Sequence, residues 1–211
     1  MASCLELTVA TVLALAAAVA AGRCGIGGGW AWLVIPVVWT VAALVPTFLA
    51  GRGWADLGVV MPRLKRDGSA LLVASAVLLL FLAGAWLLAR AGRPLPWAPG
   101  IEGGAWASWA FYQVVYVAFP EELFFRGYAQ ERIARLLPVT PAAAGVTAVV
   151  LSSAVFALAH WAVSGNAAST CVFFPALIFG WLRARTGALW APVCFHAAAN
   201  VLYAVVSRLA S

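Results

Sequence analysis

Apolar residues run along this chain in seven long blocks, at approximately 5–21, 30–50, 71–89, 105–125, 142–163, 169–185 and 189–209. Gly, Pro and charged residues interrupt them at 25–29, 51–69, 90–104, 138–141, 164–166 and 185–187. Such interruptions are turn and loop punctuation. A helix that crosses a bilayer needs roughly 20 consecutive apolar residues, and each block is about that long. The pattern therefore predicts an all-α fold, a polytopic membrane helix bundle of about seven transmembrane helices. It forms a single integral-membrane domain over residues 1–211.

Composition agrees. Hydrophobic residues make up 65% of the chain and charged residues 9%, and the mean hydropathy is +0.99. A soluble domain is about half apolar and a quarter charged, so most of this chain must lie in lipid. The net charge of +6 is no sign of a nucleic-acid partner, because the basic residues sit mostly between apolar blocks. There they act as topology signals, and they include Arg63, Lys65 and Arg66, a stretch suited to anionic lipid. Alternate sides carry nine and four Lys/Arg residues. This bias predicts a cytoplasmic N-terminus and a cytoplasmic 126–141 connection. Trp30, Trp54, Trp106, Trp161 and Trp190 lie near block ends, as in an aromatic belt. The first block ends in small residues like a signal peptide, but the first residues of the chain carry Glu6 and no Lys or Arg. It is read as a retained first span. Cys4, Cys24, Cys171 and Cys194 form no C-x-x-C pair and read as small membrane-embedded residues.

Three places in the second half carry polar groups that lipid does not tolerate idly. The first is Glu121, Glu122 and Arg126. The second is His160, preceded by Phe156. The third is His196 with Asn200. Glu122 and Arg126 are i,i+4 neighbours that share a face and can pair; Phe156 and His160 are also i,i+4, as are His196 and Asn200. Glu121 lies about 100° round the helix from Glu122, so the two carboxylates face different surroundings. One can face the salt bridge while the other faces a cavity, and Arg126 is expected to keep Glu122 ionised and leave Glu121 free to titrate. Pro120 is expected to start or kink a helix.

Helical rise brings the groups to one depth. From a turn near residue 140, Glu121 and His160 both lie roughly 30 Å along their helices; from a turn near 186, His196 and Asn200 lie about 15 and 21 Å along theirs. All four meet if the earlier hairpin projects about 10–15 Å beyond the membrane, with Glu131, Arg132 and Arg135 in water. A carboxylate beside an imidazole can hold a water and take its proton. A second imidazole and an amide can donate to the oxyanion that develops on a carbonyl. Hydrolysis is the chemistry that suits this set.

The motifs Glu121-Glu122-Leu123-Phe124-Phe125-Arg126-Gly127, Phe156-Ala157-Leu158-Ala159-His160 and His196-Ala197-Ala198-Ala199-Asn200 resemble the signature of the CPBP family. These are the CAAX-protease and bacteriocin-processing, abortive-infection-type glutamic intramembrane endopeptidases. The resemblance covers about residues 105–205, which would then be the catalytic core; the first half matches only as generic membrane helices. It implies peptide-bond hydrolysis within the membrane without a metal. It also implies that Glu121 is the base, His160 helps orient the water, and His196 and Asn200 form the oxyanion site. Glu122, Arg126 and Phe156 would support them. The implied substrate is a membrane-anchored protein or peptide, and membrane lipid is the other partner. The run between the histidine motifs is shorter than in the long-chain CAAX prenyl endopeptidases, which leaves room for a smaller processing or sorting protease.

Rival readings use the same residues. A non-catalytic scaffold or bacteriocin-immunity protein of this fold would not need Glu121. A proton relay or small transporter would spread its ionisable groups along a path instead of gathering them at one depth. Glu121, His160 and His196 are also the right types for a zinc site with an open position. No cofactor is expected. Usage rich in Ala, Gly, Arg and Trp points to a GC-rich bacterial coding sequence, and hence to the inner (plasma) membrane.

Overall fold

A computed structural model describes residues 2–23, 31–61, 64–92 and 105–210. The expectations on Cys24, Trp30, Arg63 and the 93–104 segment lie outside the described residues, as do the side chains of Lys65 and Arg66.

Seven helical rods account for nearly all the described residues. They are α1 (Ala2–Arg23), α2 (Ala31–Leu49), α3 (Leu64–Arg90), a composite rod over 106–136, α7 (Pro141–Ser164), a 3₁₀ turn (Ala167–Val172) leading into α8 (Phe173–Thr186), and α9 (Trp190–Ala210). Within the composite rod, α4 (Trp106–Tyr112), α5 (Phe119–Glu122) and α6 (Glu131–Leu136) are joined by two π-helical segments, Gln113–Ala118 and Leu123–Gln130. Among the described residues, five helices are long and apolar enough to cross a membrane, and Leu33–Leu49 is a shorter apolar one. This is the helix bundle expected for an integral membrane protein.

Helix α7 begins and ends where its sequence requires it to. Thr140 caps α7 by accepting the Ala143 N–H, and Pro141 fills the first turn, where an N–H would have no partner anyway. Gly165 closes α7 at φ 73°, a left-handed conformation that costs glycine nothing. Helix α3 starts at Leu64, about two turns before its apolar block at 71.

The bundle is apolar on both sides. Leu72 and Leu80 are each 73% exposed on α3, a cost in water and none in hydrocarbon. Cys4, Cys171 and Cys194 are free and exposed on the outer surface, not in the core. One buried cluster joins α1, α2, the composite rod and α7 around Trp39, Phe124, Phe125 and Phe156. A second packs α3 against α8 and α9 around Leu78, Phe179, Phe195 and Tyr203.

One end of the bundle is tied by charge. The Glu6 carboxylate accepts from Arg52 Nη2 (3.1 Å), Arg132 Nη2 (2.7 Å) and Tyr128 Oη (3.2 Å). Arg132, expected in water, is instead buried against α1. The start of α1, the 51–61 loop and the far end of the composite rod therefore share one end, as the charge bias requires. In that loop the Gly53 N–H donates to Asp56 (3.0 Å) and holds its carboxyl below the usual aspartate range. The loop rests on Gly127, where an added Cβ would come within 2.8 Å of the Leu57 carbonyl. Only glycine permits that approach.

Candidate active site

The composite rod supplies the carboxylates, and its irregular backbone sets where they point. The Phe119 N–H bonds the Val114 carbonyl in the i→i−5 register. This wide turn stands just before Pro120, whose ring would strike a carbonyl in a regular α-turn and whose missing N–H would break the ladder. No helix starts at Pro120: the backbone is helical through Ala118 (φ -63°, ψ -45°), and the break in register takes the form of the π segment instead. A single α-helical turn then holds Glu121 and Glu122 before the second π segment begins at Leu123. Their side chains leave that turn in different directions.

Glu122 is fully buried and points inward. Its Oε2 lies 3.2 Å from Arg126 Nε, the expected i,i+4 ion pair, close but not aligned as a hydrogen bond. Its Oε1 meets His196 Nδ1 at 2.8 Å. Arg126, also fully buried, donates from Nη2 to the Ala176 carbonyl (3.1 Å) and lies over the Phe156 ring at 4.5 Å. A guanidinium over an aromatic face keeps some stabilisation that water would otherwise provide.

Glu121 faces the other way. It lines a cavity of about 400 Å³ together with Gln113, Phe156, His160, His196 and Asn200; Glu122 and Arg126 do not line it. Its Oε2 is buried without a hydrogen bond and lies 3.8 Å from His196 Nε2. His196 thus stands between the two carboxylates, one on each ring nitrogen. Phe179 stacks on its ring at 4.8 Å and 14°, which fixes the ring plane.

His160 is oriented by its own helix. Its Nδ1 is 3.0 Å from the Phe156 carbonyl. A carbonyl only accepts, so Nδ1 carries the proton and Nε2 keeps a lone pair. Asn200 donates from Nδ2 to Gln113 Oε1 at 2.8 Å. An amide has two N–H groups, so a second remains.

Glu121, His160, His196 and Asn200, drawn from three separate rods, thus line one cavity. Phe156 supports it from below, in contact with Arg126, His160 and His196. Sequence reasoning missed Gln113 and Phe179. Gln113 was detectable as a lone amide inside the 105–125 apolar block; nothing marks Phe179 among the chain's other aromatics. It also missed that His196 is held by Glu122. Among the described residues, no group of three or more His, Cys, Asp or Glu side chains is placed to hold a metal ion.

No curated protein and no solved structure matches the chain. Residues 103–202 match the family model described as Rce1-like, type II CAAX prenyl endopeptidase Rce1-like. That stretch contains all three motifs, and the match bears out the resemblance to the CPBP family of CAAX-type membrane proteases.

Proposed function

We propose that the protein is an intramembrane endopeptidase that hydrolyses a peptide bond in a membrane-anchored protein or peptide, with Glu121 as the base. One observation carries this reading. A buried carboxylate oxygen without a hydrogen bond faces a cavity that two histidines and an asparagine also line. A polar atom left bare in a dry site is costly unless something occupies the place beside it. A substrate water is that occupant.

The chemistry follows from the hydrogen-bonding roles. Glu121 and His160 Nε2 both accept, so together they hold the two hydrogens of one water and turn its oxygen lone pair outward. As that oxygen attacks the carbonyl carbon, its proton passes to Glu121. The C=O π bond opens to an oxyanion. Protonated His196, donating from Nε2, and the second N–H of Asn200 stabilise it. The C–N bond then breaks, and the leaving amine takes the proton from Glu121. The products are a new carboxyl terminus and a free amine. Glu122 and Arg126 stay outside the cavity. They hold His196 with Nδ1 protonated and its ring in place, as an outer carboxylate does for many catalytic imidazoles.

The mostly apolar lining of the cavity supports a substrate presented from lipid, and the CAAX-type match supports an anchored protein tail. The bacterial inner membrane, with the N-terminus cytoplasmic, is the setting that the charge bias and residue usage support.

The test uses quenched fluorogenic peptides anchored in liposomes, by a prenylated CAAX end or by a hydrophobic helix. Wild-type protein should cut at least one of them, and Glu121→Gln should lose on the order of 10²–10⁴-fold in kcat, the range of a general base. Cleavage should survive a zinc chelator. A wild type that cuts neither peptide, or a Glu121→Gln variant as active as wild type, overturns the reading in favour of a non-catalytic scaffold.

A further inference from the structure

Gln113 lies eight residues before Glu121 and outside all three motifs. It is 9% exposed, in a segment otherwise made of apolar residues. Leaving an amide there without a partner would be costly, and a Leu would serve as well for packing alone. Its one hydrogen bond to another rod runs to Asn200, and both side chains line the cavity that Glu121 faces. We infer that Gln113 is a positioning residue, which sets the orientation of the Asn200 amide for the transition state.

The physical argument is one of donor and acceptor matching. A primary amide is nearly symmetric in shape but opposite in polarity at its two ends. Without a fixed partner, Asn200 could present either its oxygen or its NH₂ to the cavity. An oxygen there would face the developing oxyanion and repel it. Gln113 presents its Oε1, and the NH₂ end of Asn200 meets it at 2.8 Å. In this pairing one N–H goes to Gln113 and the other is left for the substrate oxygen. The π-helical turn contributes too. Gln113 opens the segment Gln113–Ala118, where the extra residue per turn changes the direction in which its side chain leaves the rod. The same irregular stretch that accommodates Pro120 thereby brings Gln113 to α9.

This inference rests on the protease reading, and its test separates the two. The variants are Gln113→Met, of similar length without the acceptor, and Gln113→Leu as a second size. Each is measured alone and combined with Asn200→Ala, on the anchored fluorogenic peptide that wild type cuts best. Thermal unfolding in detergent is recorded for every variant. Removing the partner that orients a catalytic group usually costs about 10–100-fold. We expect that loss in kcat with KM changed less than about twofold, because the contact matters only when the oxyanion forms. In the Asn200→Ala background either substitution should change kcat by less than about twofold, as expected for residues that act as one unit. A purely structural Gln113 would lower activity equally in both backgrounds, and that result overturns the inference. So does a Gln113→Met or Gln113→Leu protein with wild-type kcat while Asn200→Ala is impaired. If Asn200→Ala itself cuts like wild type, the oxyanion role fails and the inference falls with it. Loss of the folded state in both Gln113 variants would show a structural role and overturn it too.

Discussion

Two carboxylate clusters hold the composite rod, and they differ in what they leave unfinished. At one end, Glu6 is bound by Arg52, Arg132 and Tyr128, three donors on one carboxylate. Deeper along the same rod, the Glu121–Glu122 pair meets one arginine and one histidine, and Glu121 Oε2 has no hydrogen bond. The first cluster is saturated and joins α1, the 51–61 loop and the rod. The second leaves Glu121 Oε2 bare beside a cavity, while Glu122 Oε2 is held by Arg126 through charge alone. A carboxylate whose lone pairs are all engaged can hold structure but has nothing left for a proton. Reactivity requires the incomplete site, and a buried carboxylate there needs a charged pair behind it. Glu122, with Arg126 on one oxygen and His196 on the other, provides that support.

Substitutions sharpen this contrast in order of expected size. Glu121→Gln should abolish most cleavage, by on the order of 10²–10⁴-fold, while leaving the unfolding midpoint near wild type, since no hydrogen bond to the lost oxygen exists. A large fall in stability would mean that Glu121 is structural after all. Arg126→Met should remove both activity and stability. It leaves Glu122 as an uncompensated buried charge, at a cost of about 3–5 kcal/mol, readable as a loss of folded protein in a detergent thermal-shift assay. Gly127→Val should destabilise by about 1–3 kcal/mol through overpacking against the Leu57 carbonyl, with the 51–61 loop becoming more sensitive to protease. Glu6→Gln is the control at the saturated end. It should cost about 1 kcal/mol, discounted because the side chain is 26% exposed, and should leave kcat within about twofold. A kcat loss larger than that would mean the two clusters are not separate.

The chain's order of motifs made the candidate site legible. Helical rise placed Glu121 level with His160 across the hairpin. The i,i+4 spacing foresaw Glu122 beside Arg126, and polar residues in apolar blocks pointed to His196 and Asn200. Partners fixed at short range could be read in this way because helix geometry alone sets them. Arg132 could not: it was assigned to water because its own neighbours in sequence are polar, and it is buried because Glu6, 126 residues away, comes to meet it. The hold of Glu122 on His196 spans 74 residues and the Gln113–Asn200 bond 87, and neither follows from the spacing within one helix.

The sequence by itself determined that this is a membrane helix bundle, because seven apolar blocks can satisfy their backbone in lipid only as helices. It also determined which residues are too polar to lie in lipid without purpose. The tertiary structure decided how those residues divide their work. It turned Glu122 inward to Arg126 and His196, left Glu121 facing the cavity, and gave Asn200 its partner in Gln113. The reason is physical: a side chain's hydrogen-bond capacity belongs to the residue, but which lone pairs are taken and which remain depends on atoms that only packing between helices brings within 3 Å.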